Sequence, residues 1–346
     1  MPQNPYATLL AIAGDLSFDF IESPALARNG LGDSPRKPVI VYTPPGYDAS
    51  GSHCYPAIYI LHGYSGDSGR LIAASNWERN VVQRADTLAS AGRMRPSIVV
   101  LVDGFTRLGG SQYVDSVASG AYATYVVRDV VGHVDAHYRS IRREGGRAVA
   151  GKSSGGFGAM HLCLQHPGVF CAFASHSGDA YFEALFPQTF VQAQRVLERF
   201  DFDIERFVVA FENRHKRGQP EFDTMMILAM AAAYSPRSNA PFAIDLPFDC
   251  KTGEVVCDVF ARWLAFDPAN RIERCSAELQ RLRLRYLDCG RRDEYGLDAS
   301  ARIVAQRMRD CGLEVRHEEF DDDHRNVGYR YEISLPALAS VLDEGL

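Results

Sequence analysis

The sequence holds eight cysteines in 346 residues, yet no C-x-x-C pair and no Cys/His cluster at zinc-finger spacing. A structural zinc site and a thioredoxin-like redox pair are therefore excluded as the organising chemistry. It also lacks a Walker-type loop and a G-x-G-x-x-G loop, which removes the common nucleotide and dinucleotide signatures. Positive charge is in deficit, with 37 Lys and Arg against 43 Asp and Glu and a formal net charge of −6. That balance argues against nucleic acid or an anionic membrane as the main partner. Apolar runs are short. The longest, Met225 to Tyr234, is far too short to span a bilayer. Met1-Pro2-Gln3-Asn4-Pro5-Tyr6 has neither the basic nor the apolar region of a signal peptide. The expectation is a cytoplasmic chain in which Cys250 and Cys257, the pair that could bridge, are reduced thiols. No internal repeat or low-complexity tract is present.

What the chain does have is an ordinary globular composition, 46% hydrophobic and 23% charged. At this length it can bury a large core without a disulfide or metal staple. Apolar runs of strand length alternate with helical patterns. Leu16–Phe20 reads as an edge strand and Pro38–Thr43 as the first clear strand, stopped by Pro44-Pro45-Gly46. Pro56–Leu61, Pro96–Gly104, Arg147–Ala150, Cys171–Gly178, Leu282–Asp288 and Glu314–Phe320 follow as strands. Helical patterns cover Asn76–Gly92, Tyr125–Tyr138, Phe157–Leu164, Asp298–Cys311 and Tyr331–Leu342. Alternation of this kind predicts an α/β fold with a doubly wound, mostly parallel sheet in a single domain over 1–346.

The alternation lapses between Asp179 and Arg274. Phe190, Ala193, Val196, Leu197 and Phe200 share one helical face, and Met225, Met226, Ile227, Leu228 and Met230 make a second apolar helix. Phe260–Phe266 is a third helical stretch. The segment 179–274 reads either as a cap-like helical insertion, a partial lid over the sheet's C-terminal edge, or as a crossover enlarged by packing helices.

The most informative stretch is Gly151-Lys152-Ser153-Ser154-Gly155-Gly156, a G-x-S-x-G motif between a buried strand and a helix ended by His166-Pro167-Gly168. Strand, sharp turn and helix form the context of a nucleophile elbow. Such a turn forces strained dihedrals on Ser153 and leaves no room for side chains at Gly151 and Gly155. Ser153 is the candidate nucleophile. Leu61-His62-Gly63-Tyr64-Ser65-Gly66, where an apolar strand runs into a Gly-rich turn, is where a second oxyanion donor belongs. The expected donors are the backbone N–H groups of Tyr64 and Ser154. A serine hydroxyl needs a base, and imidazole suits neutral pH. With the order nucleophile, acid, base, only His317 and His324 come late enough. His317 lies within a strand, so His324, in the loop after it, is the candidate base. Asp288, Asp293, Glu294 and Asp298 compete for the acid. Asp288 closes its strand too early and Asp298 reads as a helix N-cap. Asp293, in the middle of the turn, is favoured. Tyr113, in the Gly-rich loop Phe105–Gly120, Tyr122, just beyond it, and Met226, from the insert, are the expected substrate-binding residues. No metal or organic cofactor is expected.

These stretches resemble the esterase D and feruloyl-esterase branch of the α/β-hydrolases, which includes S-formylglutathione hydrolases, enterobactin-type esterases and mycobacterial mycolyltransferases. The resemblance is carried by Leu61–Gly66, the Tyr125–Arg139 helix, Ala150–Ala159, Cys289-Gly290-Arg291-Arg292-Asp293 and Asp323-His324. Ser154 stands where many members carry Met, and the loop after His324 lacks their usual Trp. The resemblance implies the α/β-hydrolase fold and a serine-type carboxylic ester hydrolase acting on small to medium esters through Ser153, His324 and Asp293. An acyltransferase on the same machinery is the nearest rival. A peptidase fits worse, since nothing resembles a propeller or an amine-binding subsite. A non-catalytic hydrolase-fold binding protein is expected to have lost a triad member, and none is missing. The acyl and alcohol groups stay open, as does the oligomeric state, with a homodimer as the candidate.

Overall fold

The computed structural model describes residues 10–344. The Met1–Tyr6 stretch read above lies outside the described residues. Eight strands form one mixed sheet: β1 (Asp15–Glu22), β2 (Arg36–Thr43), β3 (Ala57–Leu61), β4 (Ile98–Val102), β7 (Arg147–Lys152), β8 (Ala172–His176), β9 (Leu284–Gly290) and β10 (Arg316–Phe320). Their order is β1-β2-β4-β3-β7-β8-β9-β10, and a separate two-residue ladder pairs β5 (Asp115–Ser116) with β6 (Gly120–Ala121). The β1–β2 and β2–β4 pairings are antiparallel, so β2 alone runs against the other strands; from β4 to β10 every pairing is parallel. Strands β3 and β4 are buried along their whole length because helices cover both faces.

One face of the sheet carries the helices Val131–His137, Ser154–Gln165 and Leu297–Asp310, which share a core with Tyr59, Val100, Val149 and Phe173. The other carries Val81–Ser90 and Tyr331–Val341, packed on Ile58, Leu101, Ala148 and Ala174. Period-2 alternation within each strand sends successive side chains to these two layers. The parallel register aligns Leu61 with Gly151, Lys152 with His176 and His176 with Asp288. The C-terminal ends of β3, β7, β8 and β9 are thereby brought to one edge, where ligands bind in open α/β sheets.

Several expected boundaries move, each for a local reason. The first helix starts at Val81 rather than Asn76, because Asn80 caps it: the Gln83 N–H donates to Asn80 Oδ1 (2.9 Å) and the Asn80 N–H to Gln83 Oε1 (3.0 Å). The Tyr125–Tyr138 pattern opens with π-helical turns over Tyr125–Val130 before settling into α-helix at Val131. Asp298 is not an N-cap. Gly296 holds that position, in the left-handed conformation, and Asp298 sits in the first turn paired with Arg302 at 2.9 Å. Strand β9 runs on to Gly290, so Asp288 lies inside it.

The insert contributes helices at Phe182–Leu185, Pro187–Glu198, Ile204–Glu212, Gln219–Tyr234, Cys257–Leu264 and Pro268–Arg271. They pack around an aromatic core of Phe182, Phe186, Phe190, Tyr234 and Trp263 that is continuous with Phe157, Leu108, Cys289 and Leu297 of the main body. Asp267 fastens the two ends of the insert together. It accepts from the N–H groups of Tyr181 (2.9 Å), Phe182 (2.8 Å) and Ala269 (2.9 Å). Burial nonetheless raises its carboxyl to about 6, against those three hydrogen bonds.

Candidate active site

Strand β7 ends at Lys152 and the helix Ser154–Gln165 begins two residues later. Ser153, between them, has φ 56° and ψ −125°, a region that an L-residue occupies only when its surroundings impose it. The constraint comes from crowding below the turn. A Cβ on Gly155 would lie 2.2 Å from the Leu61 carbonyl oxygen, and one on Gly151 2.3 Å from the Gly155 oxygen. The Ser153 N–H donates to the His176 carbonyl (2.9 Å), and the Ser153 carbonyl accepts from Phe157 (2.9 Å). Both neighbours therefore hold the backbone while the hydroxyl is left to the cleft.

The Ser153 hydroxyl lies 3.1 Å from His324 Nε2, and His324 Nδ1 lies 2.7 Å from Asp293 Oδ2. Asp293 and His324 are each under a tenth exposed. Burial works to raise the Asp293 carboxyl, but the hydrogen bond and charge of His324, with the Tyr295 N–H and the Cys289 thiol, outweigh it and hold it below the usual carboxylate value. With Asp293 as acceptor, His324 carries its proton on Nδ1, which leaves Nε2 free to accept from Ser153. The His324 backbone is pinned by its N–H to Glu294 Oε2 (3.0 Å), and its ring stands edge-on to Tyr295.

The turn after β3 is braced by His62. Its Nδ1 lies 2.8 Å from the Gly63 carbonyl and its Nε2 accepts from the Gly104 N–H at 2.8 Å, tying the ends of β3 and β4 together. Burial lowers the His62 imidazole, against the Gly63 carbonyl and the charge of Asp103, which suits this neutral bridging role. Tyr64 anchors the same turn through its hydroxyl to the Leu108 carbonyl (2.9 Å). The N–H groups of Tyr64 and Ser154 are given no acceptor among the described residues. Ser154 is the first residue of its helix, where the N–H has no partner within the helix.

A cavity of about 170 Å³ opens at Ser153 and His324, walled by Gly63, Tyr64, Lys152, Ser154 and Asp179 and by the apolar Leu185, Phe186, Phe222, Met226, Tyr295 and Leu297. Of the three residues expected to bind substrate, Met226 lies in its lining. Tyr113 and Tyr122 do not. Gln112 and Tyr113 both have positive φ, which turns the Tyr113 ring down onto Gly104 and Gly158, where an added Cβ would meet it at 2.6 and 2.5 Å. Its hydroxyl donates to the His62 carbonyl at 2.9 Å. The Tyr122 hydroxyl likewise donates to the Phe105 carbonyl (3.0 Å), and both rings are fully buried. These tyrosines support the loops around the cleft from below.

Asp288, the rival acid, is engaged elsewhere. It lies 2.7 Å from His176 Nδ1 and 2.8 Å from Arg330 Nε, and the other nitrogen of His176 meets Ser334 Oγ at 2.9 Å. All four groups are buried beneath the sheet edge, where they lock β8, β9 and the last helix together.

Two charged residues of the cavity were missed by sequence reasoning. Asp179, buried at the cavity wall, is raised by burial to about 6, against the charge of His324 and a hydrogen bond from Ser154. Lys152 is pulled below its ordinary value by burial, against the attraction of Asp293, Asp179, Glu294 and Asp323. The available signal was position: Asp179 lies three residues past the end of β8, on the edge where site residues collect. Among the described residues no group of three or more His, Cys, Asp or Glu side chains is placed to hold a metal ion.

The family model described as "Putative esterase" matches residues 34–333. The chain belongs to that family. It is 32% identical over 143 residues to Esterase Rv1288 of Mycobacterium tuberculosis, a match covering 41% of this chain. The chain spans 29% of the length of that relative. A solved ferulic acid esterase superposes with a TM-score of 0.61 at 18% identity, covering 96% of this chain and all of that one. An S-formylglutathione hydrolase from Agrobacterium tumefaciens gives 0.57 at 14% identity, covering 96% and 97% of the two chains. These structures share the α/β-hydrolase fold with this esterase-family chain. No helix among its described residues is long and apolar enough to cross a membrane.

Proposed function

We propose that the protein is a serine-type carboxylic ester hydrolase working through an acyl-enzyme on Ser153. The observation that carries this reading is the unbroken line from Ser153 Oγ through His324 to Asp293, opening on a cavity. Ser153 attacks the ester carbonyl as His324 Nε2 takes its proton. Asp293 keeps His324 in the tautomer that can accept, and stabilises the imidazolium that forms. The Tyr64 and Ser154 N–H groups receive the oxyanion, helped by the N-terminus of the helix Ser154–Gln165. The imidazolium returns its proton to the departing alcohol. Water, deprotonated by the same nitrogen, then releases the acid and frees Ser153.

The small volume and apolar walls of the cavity support a short acyl group, selected by Phe222 and Met226 of the 179–274 cap. A more open groove of about 680 Å³, sharing Tyr64 and Phe222 with the cavity, suits the alcohol portion. That open approach favours water over a bound acceptor alcohol, and hence hydrolysis over acyl transfer. A cytoplasmic location is part of the same proposal, supported by eight free cysteines.

The test is a panel of nitrophenyl and naphthyl esters of graded acyl length, with methanol or glycerol added and the products separated. The proposal predicts free acid as the main product from short and medium esters. Saturable transfer to a millimolar alcohol, with little free acid, would instead make the protein a transferase.

A further inference from the structure

Asp179 is an expensive residue to keep where it is. Asp179 is buried and lines the cavity at Ser153 together with the apolar Leu185, Phe186, Phe222 and Met226, and burying a carboxylate without full compensation is strongly unfavourable. The compensation it receives is thin. One hydroxyl, Ser154 Oγ, donates to Oδ2 at a long 3.3 Å, and that hydroxyl is oriented by Gln112, whose Nε2 donates to it at 3.0 Å. A carboxylate accepts about four hydrogen bonds, so most of the accepting capacity of Asp179 is unfilled by the described residues. Its hydrogen-bond partner Ser154 also carries one of the expected oxyanion donors, and Asp179 lines the same cavity as Ser153. Simple burial would suit an apolar residue here.

We propose that Asp179 is a specificity-determining residue that accepts a hydrogen bond from a hydroxyl group on the acyl chain, so that the preferred substrates are esters of short hydroxy acids. The inference rests on the acyl-enzyme reading above and names the substrate class of that same site. A hydroxyl fits better than an ammonium. Lys152 and His324 already flank Asp179 as its nearest cationic groups, and His324 gains a full charge during reaction, so another buried cation would be repelled. A hydroxyl donates without adding charge, and a second or third carbon carrying it stays within a cavity of about 170 Å³. A hydrogen bond to a charged acceptor in a desolvated site separates matched substrates by roughly tenfold to a hundredfold.

The experiment measures kcat/KM by pH-stat for ethyl lactate against ethyl propanoate, for ethyl 3-hydroxybutanoate against ethyl butanoate, and for the ethyl ester of β-alanine. The readout is the ratio within each pair, which cancels general losses of activity. Wild-type protein is expected to favour the hydroxy ester at least tenfold in one pair. Asp179→Asn should shrink that ratio several-fold. Asp179→Leu should bring it below one, because the hydroxyl would then be buried without a partner. Should Asp179→Leu not fold, the wild-type and Asp179→Asn ratios decide. Ratios near one in both pairs, an unchanged ratio in Asp179→Leu, or preference for the ammonium ester would overturn the proposal while leaving ester hydrolysis intact. Failure to cleave any ester, with Ser153 unreactive to a fluorophosphonate, would overturn both readings.

Discussion

His324 Nδ1 lies 2.7 Å from Asp293 Oδ2, although the two residues sit on loops that follow different strands, β10 and β9. The loops meet because β9 and β10 are parallel neighbours, and because Gly290 at the end of β9 leaves room for the Asp322 carbonyl, 2.4 Å from where a Cβ would stand. Asp293 then reaches across from the middle of a tight turn, with Tyr295 N–H fixing its other oxygen at 3.0 Å.

This arrangement separates the two acids by experiment. Asp293→Asn should lower kcat by about 10⁴, the loss typical of a Ser-His-Asp triad when the amide selects the wrong histidine tautomer. Asp288→Asn should act on stability instead. Removing its charge weakens one of the two carboxylate partners of buried Arg330, the other being Glu318, so the loss stays below the roughly 3–5 kcal/mol of a fully broken buried pair. Kinetics per folded active site, beside thermal denaturation, check this. A larger kcat loss for Asp288→Asn would reverse the assignment.

Methionines of the 179–274 segment should divide by what they touch. Met226 lines the cavity, Met225 lines the adjoining groove, and Met230 is buried against the Gln112 side chain. Met226→Ala is expected to shift acyl preference toward longer chains by enlarging the pocket. Met230→Ala should cost about 2–5 kcal/mol of stability through the cavity it leaves. Chain-length profiles and denaturant unfolding measure the two effects.

The buried Asp179 also predicts a pH dependence of stability. Its folded-state carboxyl lies at about 6 against an ordinary 3.8, so between those values the folded state holds a proton that the unfolded state has lost. Stability from this group therefore falls as pH rises from about 4 to about 6 and stays low above that. The gap corresponds to about 3 kcal/mol. Asp179→Asn, which cannot ionise, should match wild type near pH 4 and exceed its Tm by several degrees at pH 8. Equal Tm differences at both pH values would contradict the argument. Asp267, also raised to about 6, is common to both proteins and cancels.

The fold was legible because strand burial and helix periodicity are local signals, and the α/β alternation survives outside 179–274. The sharp turn at Ser153 could be read from the motif and its flanks, and the meeting of Asp293 with His324 from their places in adjacent loops, since strand ends on one edge of a parallel sheet must converge. Tyr113 could not be placed, because two consecutive left-handed residues reverse the direction of its side chain and no local pattern announces them. Asp179 was missed for a different reason. A single aspartate after a strand looks the same whether it faces bulk water or, as here, a cavity shared with Phe222 and Met226 of a helix that begins 40 residues downstream; only tertiary packing makes it unusual.

The central claim is that Ser153 is the nucleophile, and covalent labelling tests it most directly. Protein treated with a fluorophosphonate probe, digested and sequenced by mass spectrometry, should carry the adduct on Ser153 alone. Labelling should disappear in Ser153→Ala and fall sharply in His324→Ala, while circular dichroism of both variants stays that of wild type. An adduct on another serine, or ester hydrolysis that persists in folded Ser153→Ala, would contradict the account.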